Sequence, residues 1–142
     1  MHIRKILVAL DGSAHSDRAL ALAEDLAGQY GARLELVMVM QPIPALTGDL
    51  PVGPTLPTAE DRRAMEVGLE QNAQALRSRG RMVDTHVEVG DPASTLLDLA
   101  DRLEVDILVA GRSGKGAVAR ALMGSVTTRL LHQSTRPVCV VP

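Results

Sequence analysis

An α/β fold, with a parallel sheet covered by helices on both faces, is what this chain predicts, and three observations predict it. Four short apolar runs stand out: ILVAL at 6–10, LELVMVM at 34–40, DILVA at 106–110 and VCVV at 138–141. Such runs read as strands buried on both faces. Helical patterns lie between them. Residues that start or stop helices sit at the boundaries of those patterns.

Along the chain, the strand at 6–10 is followed by a helical pattern over 14–30. There Leu22, Leu26 and Tyr30 recur at steps of four, with Ala19, Ala23 and Ala27 beside them, and Gly31 occupies a helix C-terminal position. After the strand at 34–40 comes QPIPALTGDLPVGPTLPT, residues 41–58, with five prolines. It is no regular helix and is long for a plain connector. A surface loop and a lid over a site are its two readings. Over 59–79, Met65, Leu69, Ala73 and Leu76 form a stripe that Thr58 can cap and Gly80 can end.

In 81–89, Val83, Thr85, Val87 and Val89 alternate with Met82, Asp84, His86 and Glu88, as on an edge strand with one wetter face. DPASTLLDLADRL then supplies Asp91 as N-cap and Pro92 at the first helical position. A shorter last helix over 125–132 holds Val126, Leu130 and Leu131.

The order is β-α-β-α-β-α-β-α-β. Right-handed crossovers prune the topologies. With 81–89 and 137–141 as edges, the economical arrangement is a doubly wound, Rossmann-like sheet of five strands in order 3-2-1-4-5. The strands at 5–10 and 106–110 are then central neighbours. Their connections leave in opposite directions, which makes them the switch point where ligands settle.

At 142 residues the chain is expected to form one domain, 1–142. With one Tyr, no Phe and no Trp, its core must be aliphatic, and it lacks aromatic platforms for stacking nucleic-acid bases. A net charge of −2 gives no electrostatic attraction to nucleic acid or anionic membranes. Cys139 cannot form an internal disulfide, which fits a reducing compartment. The first apolar run is too short for a signal peptide, and no stretch approaches the roughly 20 apolar residues that span a bilayer. A cytoplasmic protein is expected.

GRSGKGAVARALMGS, residues 111–125, carries the clearest chemistry. It follows a buried strand and opens the last helix. Gly111 and Gly114 allow backbone geometries and close approaches that other residues do not. Gly124 and Ser125 stand at a helix start, where free N–H groups and the positive dipole end favour anions. Arg112, Lys115 and Arg120 could offset phosphate charge. The plain alternative is a flexible loop with ordinary helix capping.

The P-loop pattern is excluded, because Lys115 is followed by Gly116. The dinucleotide fingerprint is excluded too, because DGSAHS follows the first strand. Asp11, at that strand's end, offers an acceptor for ribose hydroxyls or a base amine; Asp-Gly-Ser is equally a good turn and cap.

Gly111-x2-Gly114-x9-Gly124-Ser125 resembles the G-x2-G-x9-G-[ST] signature of the universal stress protein family, in its ATP-binding branch. KILVALDGSAHSDRALALAEDLA, GDPASTLLDLADRLEVDILVAGRSGKG and MGSVTTRLLHQSTRPVCVVP resemble the family's opening, middle and closing stretches. The likeness covers essentially the whole chain, and is weakest over 41–65. It implies that Asp11 contacts adenosine and that Val39 offers a backbone contact to adenine. It implies that Gly111, Gly114, Gly124 and Ser125 hold phosphate and ribose, with Val126 continuing the backbone contacts. Arg112 and Lys115 are added from charge alone.

The resemblance further implies ATP as ligand, with magnesium or manganese as its companion ion. It implies a homodimer joined through the last strand, acting as a nucleotide-dependent regulator or sensor in stress response. A slow ATP hydrolase and a nucleotide-free dimeric adaptor are the rivals. His2, His15, His86 and His132 show no metal-ligand spacing, and no nucleophile–base pair is visible. Binding with slow or no turnover is therefore the expectation.

Overall fold

The sheet forms because four of its strands are aliphatic on both sides, so each needs a helix layer above and below. The computed structural model describes residues 1–47, 50–112 and 123–142. Its elements run β1 (Lys5–Ala9), α1 (Ala14–Tyr30), β2 (Arg33–Met40), β3 (Ile43–Thr47), β4 (Leu50–Thr55), α2 (Ala59–Ser78), β5 (Val83–Val89), α3 (Pro92–Arg102), β6 (Ile107–Gly111), α4 (Ser125–Gln133) and β7 (Val138–Val141). The main sheet is parallel with order β5-β2-β1-β6-β7. That is the 3-2-1-4-5 order read from the sequence. β1 and β6 are its central pair, with Val8 opposite Val109.

Two hydrophobic clusters flank the sheet. Ile6, Val8, Leu34 and Leu36 pack with Ala19, Ala23 and Ala27 of α1 and with Leu69, Ala73 and Leu76 of α2. Leu7, Val37 and Leu108 pack with Leu96 and Leu99 of α3 and Leu130 of α4. Alternate residues of one strand thus feed opposite cores, as the two-residue period requires.

The helix boundaries follow local chemistry. Ser13 accepts from the Ser16 N–H and starts α1, and Gly31, at φ 66°, ends it. Thr58 and Asp61 form a reciprocal capping box on α2. Asp91 accepts from the Ser94 N–H, and Pro92 opens α3.

Two expectations change. On α1 the buried stripe is Ala19, Ala23 and Ala27, whereas Leu22 and Leu26 are half-buried and Tyr30 is exposed. The small residues win because α1 lies close to the sheet: the end of β6 approaches the His15 backbone so nearly that a Cβ on Gly111 would stand 2.7 Å from it. The proline-rich segment is also more regular than a loop. β3 and β4 pair as an antiparallel ribbon, with Pro44 opposite Pro54 and a register irregularity between Pro44 and Leu46. A two-stranded ribbon has two outer edges, where a missing N–H is tolerated.

The edges of the main sheet differ. On β5, Arg77 donates from Nε and an Nη to the Val83 carbonyl at 3.1 and 2.7 Å, and Arg62 donates to the Val87 carbonyl at 2.8 Å. On β7, no side chain among the described residues bonds the Val138 or Val140 backbone in this way.

Candidate functional site

Helix starts and strand ends meet at one place. A cleft of about 540 Å³ opens where β1 and β6 end, between the first turns of α1, α3 and α4. Its volume is within the range of small-molecule sites. Val37, Leu96 and Leu130 give it an apolar floor, and Asp11, Ser13, Gln41 and Ser125 supply polar groups. The β1–β6 junction is the switch point, where opposite crossovers leave a crevice.

Asp11 lies just past β1. One carboxylate oxygen, Oδ1, accepts from the Ser13 N–H at 2.9 Å, which fixes the turn through Gly12 at φ 77°. Oδ2 has no hydrogen bond among the described residues. Ser13 and Ser16 are buried beside it and bond each other, Ser16 Oγ donating to the Ser13 carbonyl at 3.0 Å.

Gly111 lines the cleft for a reason different from the expected one. A Cβ here would meet the His15 backbone at 2.7 Å and the Ser16 nitrogen at 2.9 Å. The glycine is therefore required by contact between β6 and α1, and its φ is not among the positive ones.

Gly124 is the N-cap residue of α4, with extended φ −63° and ψ 152°, and Ser125 is the first helical residue. Among the described residues no side chain caps this helix, unlike the starts of α1, α2 and α3. The first amides of α4 are thus left for something else, beside the cleft. The Gly124 N–H itself donates to the Arg112 carbonyl at 2.8 Å.

Thr127 is a residue that the sequence did not single out. Buried, it donates from Oγ1 to the Gly111 carbonyl at 3.0 Å and also approaches the Arg112 carbonyl at 3.2 Å, tying α4 to the end of β6. Nothing in its local sequence marks it, because a Thr inside a helix has no distinctive spacing.

Of the expected residues, Asp11, Val39, Gly111, Gly124, Ser125 and Val126 line this one cleft. Arg112 does not: its N–H donates to the Val141 carbonyl at 2.7 Å, and its peptide is held between β7 and α4. Gly114 and Lys115, with Gly116 and Arg120, lie outside the described residues. No group of three or more potential metal-ligating side chains occurs among the described residues. No helix among them is long and apolar enough to cross a membrane.

Fold and cleft together define the class: a doubly wound α/β protein with a ligand-sized crevice at its switch point. The model of the universal stress protein family matches residues 2–142, and the chain belongs to that family. It is 33% identical to a universal stress protein of Thermus aquaticus, over 97% of this chain and 98% of that one. It is 34% identical to a universal stress protein of Mycolicibacterium smegmatis over 96% of this chain, and spans 47% of that relative's length.

Among solved structures, it resembles a universal stress protein in complex with cAMP, at 23% identity and a TM-score of 0.72, covering 99% of this chain and 98% of that one. It also resembles the Archaeoglobus fulgidus universal stress protein in complex with dAMP, at 23% identity and a TM-score of 0.70, with full coverage of both.

Proposed function

We propose that this chain binds an adenine nucleotide in the switch-point cleft, with ATP as the ligand. The observation that carries the reading is the uncapped start of α4, which borders the same cleft as the half-used carboxylate of Asp11. Amides at a helix start suit phosphate, and a free carboxylate oxygen suits ribose hydroxyls. The apolar floor of Val37, Leu96 and Leu130 suits a planar base. Family members that hold cAMP and dAMP support the same ligand class. In this reading Val39 and Val126 meet the base and ribose, and Gly124 and Ser125 meet the phosphates. Gly114 and Lys115, with Arg112, follow β6 in the sequence and would add to the phosphate contacts.

Asp11 is the sole carboxylate among the described residues lining the cleft. It would orient magnesium or manganese carried in on the phosphates, and one carboxylate favours binding over hydrolysis. The protein then acts as a nucleotide-dependent regulator in stress response, as a homodimer paired along β7, whose outward backbone no described side chain covers. A cytoplasmic location suits that role.

Isothermal titration with ATP, backed by mass spectrometry of the natively purified protein, tests the nucleotide reading. Saturable binding is expected, weakened in Asp11→Ala. No heat at millimolar ATP and no co-purified nucleotide would overturn it and favour the empty adaptor.

A further inference from the structure

One polar cluster beside the cleft is not explained by capping alone. The Asp91 carboxylate oxygen Oδ2 accepts from the Ser94 N–H at 3.0 Å and from Ser94 Oγ at 2.8 Å. It also accepts from Arg129 of α4 at 2.7 Å, while the other terminal nitrogen of Arg129 donates to Ser94 Oγ at 3.0 Å. These contacts close a triangle between two helices whose sequence positions differ by 38. Asp91 alone would cap α3. Arg129 makes the cap a fastening point for α4.

The position of that fastening matters. Arg129 lies four residues after Ser125, so both stand on one side of α4, a turn apart. Pro92 and Leu96 of α3 and Val126 and Leu130 of α4 line the cleft on either side of the fastening. Among the described residues the first turn of α4 has no side-chain cap of its own. Its direction is set from outside, by Thr127 bonding the Gly111 carbonyl at one side and by Arg129 at the other.

We infer that Arg129, held by Asp91 and Ser94, is a positioning residue that aims the α4 amides at the phosphate end of the ligand. The assignment rests on the nucleotide reading above. Arg129 acts through the helix and does not itself touch the ligand. A direct cation–phosphate contact would have a different mutational signature, because there Asp91 would compete with the phosphate for the guanidinium.

The test compares wild type, Arg129→Met, Asp91→Asn and the double variant, titrated with ATP and with adenosine. Asn at 91 still accepts the Ser94 N–H and keeps α3 capped, but it surrenders the charged pairing. Loss of aim should weaken ATP about tenfold and adenosine by less than about twofold, the range of a helix-start anion interaction. The two single variants should match, and the double variant should be no worse, because both remove one shared contact. Arg129→Lys should recover part of the loss.

Hydrogen exchange on the nucleotide-free proteins gives an independent reading. The bonded amides at the starts of the two helices, Ser94 and Thr95 on α3 and Thr128 on α4, should exchange faster in Arg129→Met. Unchanged exchange there overturns the fastening itself. Weakened ATP binding in Arg129→Met with intact binding in Asp91→Asn overturns the positioning role in favour of direct contact. Wild-type ATP binding with unaffected variants overturns this assignment alone. Failure of the wild type to bind ATP overturns the nucleotide reading and this assignment together.

Discussion

The two ends of the main sheet are built on opposite terms. At the end where the strands begin, polar groups answer one another. Asp106 accepts from the Arg4 and Lys5 N–H groups at 2.8 and 2.9 Å, and the Lys5 ammonium donates to the Leu103 carbonyl at 2.8 Å. Arg136 donates to the Val105 carbonyl at 2.7 Å. At the end where the strands finish, among the described residues Asp11 leaves one oxygen unbonded and α4 starts without a side-chain cap. One end is chemically closed and the other is left incomplete. Backbone polar groups are answered at the first end, and the incomplete end is where a ligand can supply the missing partners.

The largest expected effect shows that the open end is not loosely built. Gly111→Val forces a branched side chain into the His15 and Ser16 backbone, and should destabilise the fold by about 3 kcal/mol or more. Denaturant unfolding measures it; a stability near wild type would mean that α1 and β6 are less tightly apposed than described.

Next, Gly124→Asp should close the open end. Its extended backbone accepts any residue, and the new carboxylate can cap α4 while repelling phosphate. ATP affinity should fall by about tenfold or more, while stability rises by roughly a few tenths of a kcal/mol, the Gly-to-Asp cap difference. Titration and unfolding on the same variant check both signs. Unchanged affinity would show that the α4 amides are not the phosphate contact.

Asp106→Ala should open the closed end. Two backbone N–H groups lose their acceptor, at about 1–2 kcal/mol of stability, with ATP affinity unchanged. An affinity loss would break the separation between the two ends.

The smallest effect is in pH. Burial pushes the Asp106 carboxyl upward, but the N–H groups of Arg4 and Lys5, with Arg4 and Arg136 nearby, outweigh it and hold the group below its usual range. A depressed folded value means that its stabilisation is complete above the unfolded value of about 3.9 and disappears as pH falls through the folded one. Unfolding midpoints measured downward from pH 5 should therefore drop more steeply in wild type than in Asp106→Asn. Parallel curves would show that Asp106 is not the group responsible.

Much of this could be seen in the sequence because it is local. Apolar runs gave the strands, and Gly31, Thr58, Asp91 and Pro92 marked helix limits through contacts within a few residues. The sheet order followed from handedness and burial. What stayed hidden depends on distance or on proximity of layers. Leu22, Leu26 and Tyr30 share the helical period of Ala19, Ala23 and Ala27, and only the nearness of α1 to the sheet decides which stripe is buried.

The packing reason for Gly111 stayed hidden because its neighbour in space, His15, is far away in sequence. Prolines at 44, 51 and 54 hid the ribbon of β3 and β4, because they are poor strand formers in sequence, yet Pro44 lies opposite Pro54 and Pro51 opposite Leu46. Thr127, and the pairing of Arg129 with Asp91, join segments whose separation no periodicity records. For the cleft, Asp11, Gly124 and Ser125 were legible as helix-start and strand-end chemistry. Val37, Gln41 and Leu130 were not, because lining a cavity leaves no pattern in a single chain.

The arginines on β5 have a consequence for how far self-association can run. A sheet that can accept a neighbour only along β7 has a valence of one. Two copies joined there would leave β5 outermost at both ends of the shared sheet, where Arg77 and Arg62 hold the outward Val83 and Val87 carbonyls, so extension of the main sheet would stop at a pair.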